Sequence, residues 1–140
     1  MIELITGVVV LASTFYGTAG AHADSYKPFA VGKTPMTIEE RVREFYTDAP
    51  VLSDIAFCES SFRHFDKSGR VIRGKVNKGD VGVMQINEYY HKEKAETLGM
   101  DIKTLDGNLS YAKYLYDKEG VSPWGSSAKC WQKSERFAKK

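Results

Sequence analysis

The 140-residue sequence has no run of basic residues beyond the terminal Lys139-Lys140 pair, and its net charge is only +2. It lacks interleaved aromatic and basic residues and has neither a zinc-finger nor an RNP pattern, so nothing in it points to nucleic acid. Walker A, Rossmann and Gly-x-Ser-x-Gly patterns are absent, which removes phosphate-cradling loops, dinucleotide binding and the nucleophile elbow. Its three histidines have no Ser or Cys partner at triad spacing. Cysteine is limited to Cys58 and Cys130, and no spacing of these with His64 or His91 matches a zinc pattern. The stretch "DKSGR" begins like a calcium loop, but its glycine comes too early and no Glu stands at the twelfth position. No cofactor or metal is expected. There are no internal repeats, no low-complexity segment and no apolar run that would span a membrane comfortably.

What is present suits one globular domain: 42% hydrophobic and 27% charged residues in a chain long enough for a modest single core. A monomer is expected. The N-terminus stands apart. Residues 4–15, "LITGVVVLASTF", are apolar or small, and "AHA" at Ala21–Ala23 has small residues at its first and third positions. This reads as a secretory signal peptide over 1–23, although the n-region carries Glu3 and no Lys or Arg; the alternative is a retained N-terminal anchor. The expected location is secreted, periplasmic or cell-wall associated, with no membrane contact beyond that segment. In such a compartment an even pair of cysteines favours a Cys58–Cys130 disulfide, which would contribute about 4 kcal/mol in the chain-entropy picture. A Cys58 nucleophile with His64 as base is disfavoured, because six residues along one helix set the two on opposite faces.

Residues 24–36 contain two prolines and a glycine and read as a linker to a domain over 37–140. Thr37 and Glu40 form a capping-box pair that opens a helix with Ile38, Val42 and Phe45 on its apolar side. Pro50 suits the first turn of the next helix, expected to end near Phe65. Between 66 and 81, turn signals at Ser68-Gly69 and Lys78-Gly79 flank β-branched pieces around Val71-Ile72 and Val76, which predicts a small hairpin. Helical pieces follow at 88–97 and 107–118, the latter ended by Gly120 and Pro123, with a short turn at 126–136 carrying Cys130 and Trp131. The fold class is therefore α+β and mostly helical.

One side chain breaks this pattern. Wound as a helix, "VLSDIAFCESSF" (51–62) puts Val51, Leu52, Ile55, Ala56, Cys58 and Phe62 on one apolar arc, and Glu59 falls inside that arc. Ser53, Asp54 and Ser61 lie on the polar side. Either Glu59 escapes at the boundary or pairs with Arg63 or Arg73, or it is a general acid whose burial raises its pKa toward working pH. A glycosidase needs such a donor to protonate its leaving oxygen.

The segment "GDVGVMQINEYY", Gly79 to Tyr90, weighs on that choice. A Glu-Ser pair on a helix followed about twenty residues on by Asp-x-Gly-x-Met-Gln-Ile-Asn resembles the lysozyme-like superfamily. More narrowly it resembles the SLT-type lytic transglycosylases, which cleave peptidoglycan strands; it is also similar to chicken-type lysozymes. The likeness runs from about Pro50 to Trp131. It implies a lysozyme-like fold with a small β lobe beside a cleft, Glu59 as general acid/base and Asp80 as a second carboxylate. Ser60, Gln85 and Asn87 would line the sugar cleft, and Gly82 would let the backbone pass close to substrate. Tyr90 falls at an aromatic cleft position. The family's later tyrosine position is Leu115 here, with Tyr111, Tyr114 and Tyr116 around it; Tyr111 and Tyr114 are the candidates taken forward, and which tyrosine faces the cleft is open. Met84 reads as core, Tyr89 as surface, and Trp124 and Trp131 as packing around Cys130. Asn108-Leu109-Ser110 fits a glycosylation sequon, but a helix-start Asn explains it more simply.

The expected partner is peptidoglycan, cut between N-acetylmuramic acid and N-acetylglucosamine. In the transglycosylase ending the muramic acid's own 6-hydroxyl closes an anhydro ring. In the lysozyme ending Asp80 stabilises the cation or forms an adduct, with the carboxyl groups about 5 Å apart, and water completes the reaction. The competing class is a non-catalytic cell-wall sugar binder.

Overall fold

The structure is a computed structural model and describes residues 35–133. The expected signal segment, all but the end of the expected linker and the last seven residues lie outside the described residues. The chain forms α1 (Ile38–Phe45), α2 (Val51–Ser60), β1 (Asp80–Val81), β2 (Ile86–Asn87), α3 (Glu88–Thr97), α4 (Leu105–Glu119), a 3-10 segment (Ser122–Ser127) and α5 (Ala128–Trp131). It is α+β and mostly helical, with one small antiparallel sheet among the described residues.

α1 begins as its sequence requires. The Thr37 hydroxyl accepts from Glu40 N at 3.2 Å, and Glu40 Oε2 accepts from Thr37 N at 2.8 Å. Val42 and the neighbouring Tyr46 are fully buried, and the Tyr46 hydroxyl donates to the Leu109 carbonyl at 2.8 Å, which ties α1 to α4. α2 is the central helix. Leu52, Ile55 and Ala56 have no exposure, but Ser53 and Asp54, expected on a solvated side, are buried as well. Phe57 is the one exposed residue of the helix. A helix buried nearly all round is a core element, not an amphipathic surface helix.

α2 stops at Ser60, five residues short of the expected end. Ser61 and Phe62 both adopt left-handed backbone, with φ of 54° and 57°. The payoff is long-range. The reversal carries His64 into the interior, where Nδ1 accepts from Val83 N at 3.1 Å and Nε2 lies 2.9 Å from the Lys103 carbonyl. A carbonyl only accepts, so Nε2 carries the proton and His64 is neutral. Two unfavourable φ angles are over-determined by a fully buried, doubly bonded ring.

The β lobe also differs from expectation. Val71 and Arg73 make only single bridges, to Phe65 and Val81, and Val76 stands fully exposed at a loop tip. The regular pairing comes later, Asp80 with Asn87 and Val81 with Ile86. Between them the chain turns through Gly82 at φ 73° and Gln85 at φ 51°. Met84 is core as expected, but it sits in this turn and not in a strand. Its backbone N donates to Asn108 Oδ1 at 2.9 Å, while Asn108 Nδ2 donates to the carbonyls of Val81 (3.1 Å) and Ile102 (2.8 Å). Asn108 is therefore a buried clamp one turn inside α4. The helix-start residue is Thr104, whose hydroxyl accepts from Gly107 N.

The C-terminal turn closes the core. Trp124 and Trp131 are both buried; Trp124 Nε1 donates to the Met84 carbonyl at 3.0 Å, and Trp131 Nε1 to the Trp124 carbonyl at 3.1 Å. Cys58 and Cys130 form the disulfide, with Cα atoms 6.0 Å apart, which joins α2 to α5.

Candidate active site

A groove of about 1260 Å³ runs between the last turn of α2 and the loops of the β lobe. Glu59 lies on its wall, half-buried, because the central helix ends there and opens its final turn to the groove. Glu59 Oε1 accepts from the Ser127 hydroxyl at 2.6 Å. Burial pushes the Glu59 pKa up, the Ser127 hydrogen bond opposes this, and the negative charge of Asp80 adds to the rise. Among the described residues no cation pairs with the carboxylate: Arg63 Nε donates to the Ser60 carbonyl and Arg73 pairs with Glu88.

Asp80 reaches the same groove from β1, and its Oδ1 accepts from Asn87 Nδ2 at 2.8 Å. Asn87 also caps α3, accepting from Tyr89 N at 3.1 Å. Both of its polar ends are used, so it orients Asp80 from behind and is not on the groove wall. Gln85 is on the wall. Its left-handed backbone lets Nε2 reach back to the Gly82 carbonyl at 2.9 Å and leaves the amide edge near Gly74. Ser60 borders the groove too, but its hydroxyl donates to the Ala56 carbonyl at 3.0 Å and accepts from Arg63 N at 3.2 Å, which finishes the helix.

The other expected cleft residues sit elsewhere. Gly82 approaches the core: a Cβ there would lie 2.6 Å from both Asn108 Nδ2 and His64 Cε1. Packing and positive φ both require glycine here. Tyr90 is 81% exposed on α3 and outside the groove lining. Tyr111 is buried, 3.2 Å from His91 Nδ1 through its hydroxyl, with its ring 5.5 Å from Tyr114; neither tyrosine lines the groove. A smaller depression of about 440 Å³ beside Met100 and Ile102 holds none of the candidate residues.

Two features were not anticipated. Ser127 is one, although its place three residues before Cys130 was a usable signal once Cys58 was paired. The other is charge. Arg63, Arg70, Arg73, Lys75, Lys78 and Lys103 line the groove against Glu59, Asp66 and Asp80. Arg70 is paired with Asp66, and Arg73 and Lys103 with Glu88. Asp66 is further held by Ser68, which with the Arg70 backbone brings its pKa down to about 2. Arg63, Lys75 and Lys78 have no acidic partner among the described residues, so the groove carries a net positive wall. Comparison with protein-family models, curated proteins and solved structures finds no match for this chain.

Proposed function

We propose that this chain is a peptidoglycan-cleaving glycosidase of lysozyme-like fold, acting as a lytic transglycosylase on the bond between N-acetylmuramic acid and N-acetylglucosamine. The observation that carries the reading is Glu59, a half-buried acid with raised proton affinity, one oxygen held by Ser127, set in the wall of a groove with room for several sugar units. Such an acid stays protonated nearer neutral pH than a solvated one, which is what general acid catalysis at a glycosidic oxygen requires. The unpaired cations along the groove suit an anionic wall polymer.

In this mechanism Glu59 gives its proton to the bridging oxygen, and the bond from C1 of the muramic acid breaks with oxocarbenium character. The departing strand leaves as an alcohol. The substrate's acetamido group steadies the cation, and the 6-hydroxyl of the same muramic acid attacks C1. Glu59, now a carboxylate, takes the hydroxyl proton, so enzyme and proton count are restored. No protein nucleophile is used.

A hydrolytic ending is the second reading, favoured by Asp80, which is close enough to act on Glu59 by charge and is fixed by Asn87. There water replaces the 6-hydroxyl and Asp80 supports the cation. Glu59→Gln tests both endings: release of soluble fragments from purified walls should fall by at least about a hundredfold. Near wild-type release would remove Glu59 as the acid, and binding of wall fragments by the wild type without any product would favour a sugar binder.

A further inference from the structure

The Ser127 hydroxyl has two oxygens in reach and one hydrogen to give. It lies 2.6 Å from Glu59 Oε1 and 3.1 Å from the Trp124 carbonyl. The carbonyl already receives the Trp131 indole N–H at 3.1 Å, so it has a donor without Ser127. The shorter contact is in the range of a hydroxyl bonded to a carboxyl oxygen. The hydrogen therefore goes to Oε1. Glu59 Oε2 has no partner among the described residues, and no buried side-chain oxygen there is left unsatisfied, so Oε2 opens to the groove.

We infer that Ser127 is a positioning residue that desymmetrises the Glu59 carboxyl, keeping the acid proton on Oε2, the oxygen that faces substrate, and off Oε1. The inference rests on Glu59 being the general acid. The same bond serves the return step, since the hydroxyl stays on Oε1 when Glu59 becomes a carboxylate. Its placement is built in covalently: Cys58 immediately precedes Glu59, and Cys130 follows Ser127 by three residues, so the disulfide ties together the two elements that the hydrogen bond spans. Buried Trp124 and Trp131 flank Ser127 and fix the turn.

Ser127 opposes what burial does to Glu59. From β1, Asp80 faces Glu59 and raises its proton affinity; on the remaining wall Arg73 and Lys103 are engaged by Glu88, and Arg63 by the Ser60 carbonyl. Removing the hydroxyl leaves burial and Asp80 unopposed, so Glu59 titrates at higher pH.

The test compares wild type, Ser127→Ala and Ser127→Thr on purified peptidoglycan across pH, with the Glu59 carboxyl followed by carbon NMR in the intact protein. In Ser127→Ala, kcat should fall about tenfold with little change in KM, the alkaline limb of the profile should move to higher pH, and the NMR titration should move with it. Ser127→Thr keeps a hydroxyl and should restore both. An unchanged alkaline limb and NMR titration in Ser127→Ala would overturn the inference, as would a drop in kcat at all pH values without any titration shift. If wild type releases no product, the glycosidase reading fails separately, and the NMR titration alone then decides the hydrogen bond: equal values in wild type and Ser127→Ala overturn it.

Discussion

Asn87 donates its side-chain N–H to Asp80 Oδ1 at 2.8 Å while its own oxygen caps α3, so a single amide starts a helix and orients the second carboxylate of the groove. The two jobs can be separated. Asn87→Asp keeps a cap oxygen but puts two carboxylates together; Asn87→Ala removes both the cap and the bond. Asn87→Ala should cost about 1 kcal/mol of stability from the lost cap. Asp80→Asn should lower the initial rate of wall solubilisation only about threefold if the 6-hydroxyl closes the reaction, and by about a thousandfold if Asp80 is the partner carboxylate of a hydrolase.

Glu59 should cost the fold stability at neutral pH. Its folded pKa is raised, so the folded state binds the proton more tightly than the unfolded chain. The stability this brings is complete at pH values below the unfolded pKa and is lost as pH rises through the folded one. Glu59→Gln keeps an acceptor for Ser127 without the charge. It should raise Tm by about 2 °C at pH 8 and leave it unchanged near pH 4, measured by thermal circular dichroism.

His64 acts in the opposite direction. Burial lowers its pKa, and Nδ1 is committed to the Val83 N–H, which a protonated ring could not accept. The unfolded chain therefore binds the proton more readily as pH falls below the ordinary histidine value of 6.5. Stability should be full above that pH and decline as pH falls below it. His91, also lowered by burial, adds to the same slope. His64→Gln should lower Tm by about 5 °C at pH 7.5 and weaken the acid slope to the share left by His91.

Asn108 is satisfied at every polar atom inside the core, so it tolerates no change of chemistry. Asn108→Asp would turn a carboxylate oxygen toward the carbonyls of Val81 and Ile102. It should destabilise by about 3 kcal/mol or more and shift chemical denaturation accordingly. The buried amide should also remain unglycosylated in the folded protein, despite its sequon, as intact mass would report.

Much of this was legible locally. The Thr37–Glu40 cap, α3 at 88–97, the disulfide and the core role of Met84 follow from short-range chemistry and composition. Glu59 stood out because a carboxylate on an apolar arc conflicts with its neighbours, and that conflict marks the groove. What escaped was set by contacts between distant segments. α2 stops early because His64 is drawn onto Lys103 and Val83. The β pairing moves to 80–87 because the 82–85 turn is clamped by Asn108 and Trp124. Gly82 was singled out as a substrate-side glycine, and its close packing against His64 and Asn108 is a contact between distant segments that the sequence did not display. Tyr90, Tyr111 and Tyr114 were placed by the family resemblance, and a matched position in the sequence does not fix the face of the domain on which a side chain emerges.

The central claim is that Glu59 protonates a glycosidic oxygen and then takes a proton back from the sugar it has cut. Mass spectrometry of the disaccharide-peptides released from purified peptidoglycan tests it most directly. The account predicts fragments lighter by one water than a lysozyme digest of the same material, and none from Glu59→Gln. Fully hydrated fragments would contradict the transglycosylase ending, and no fragments from the wild type would contradict the glycosidase.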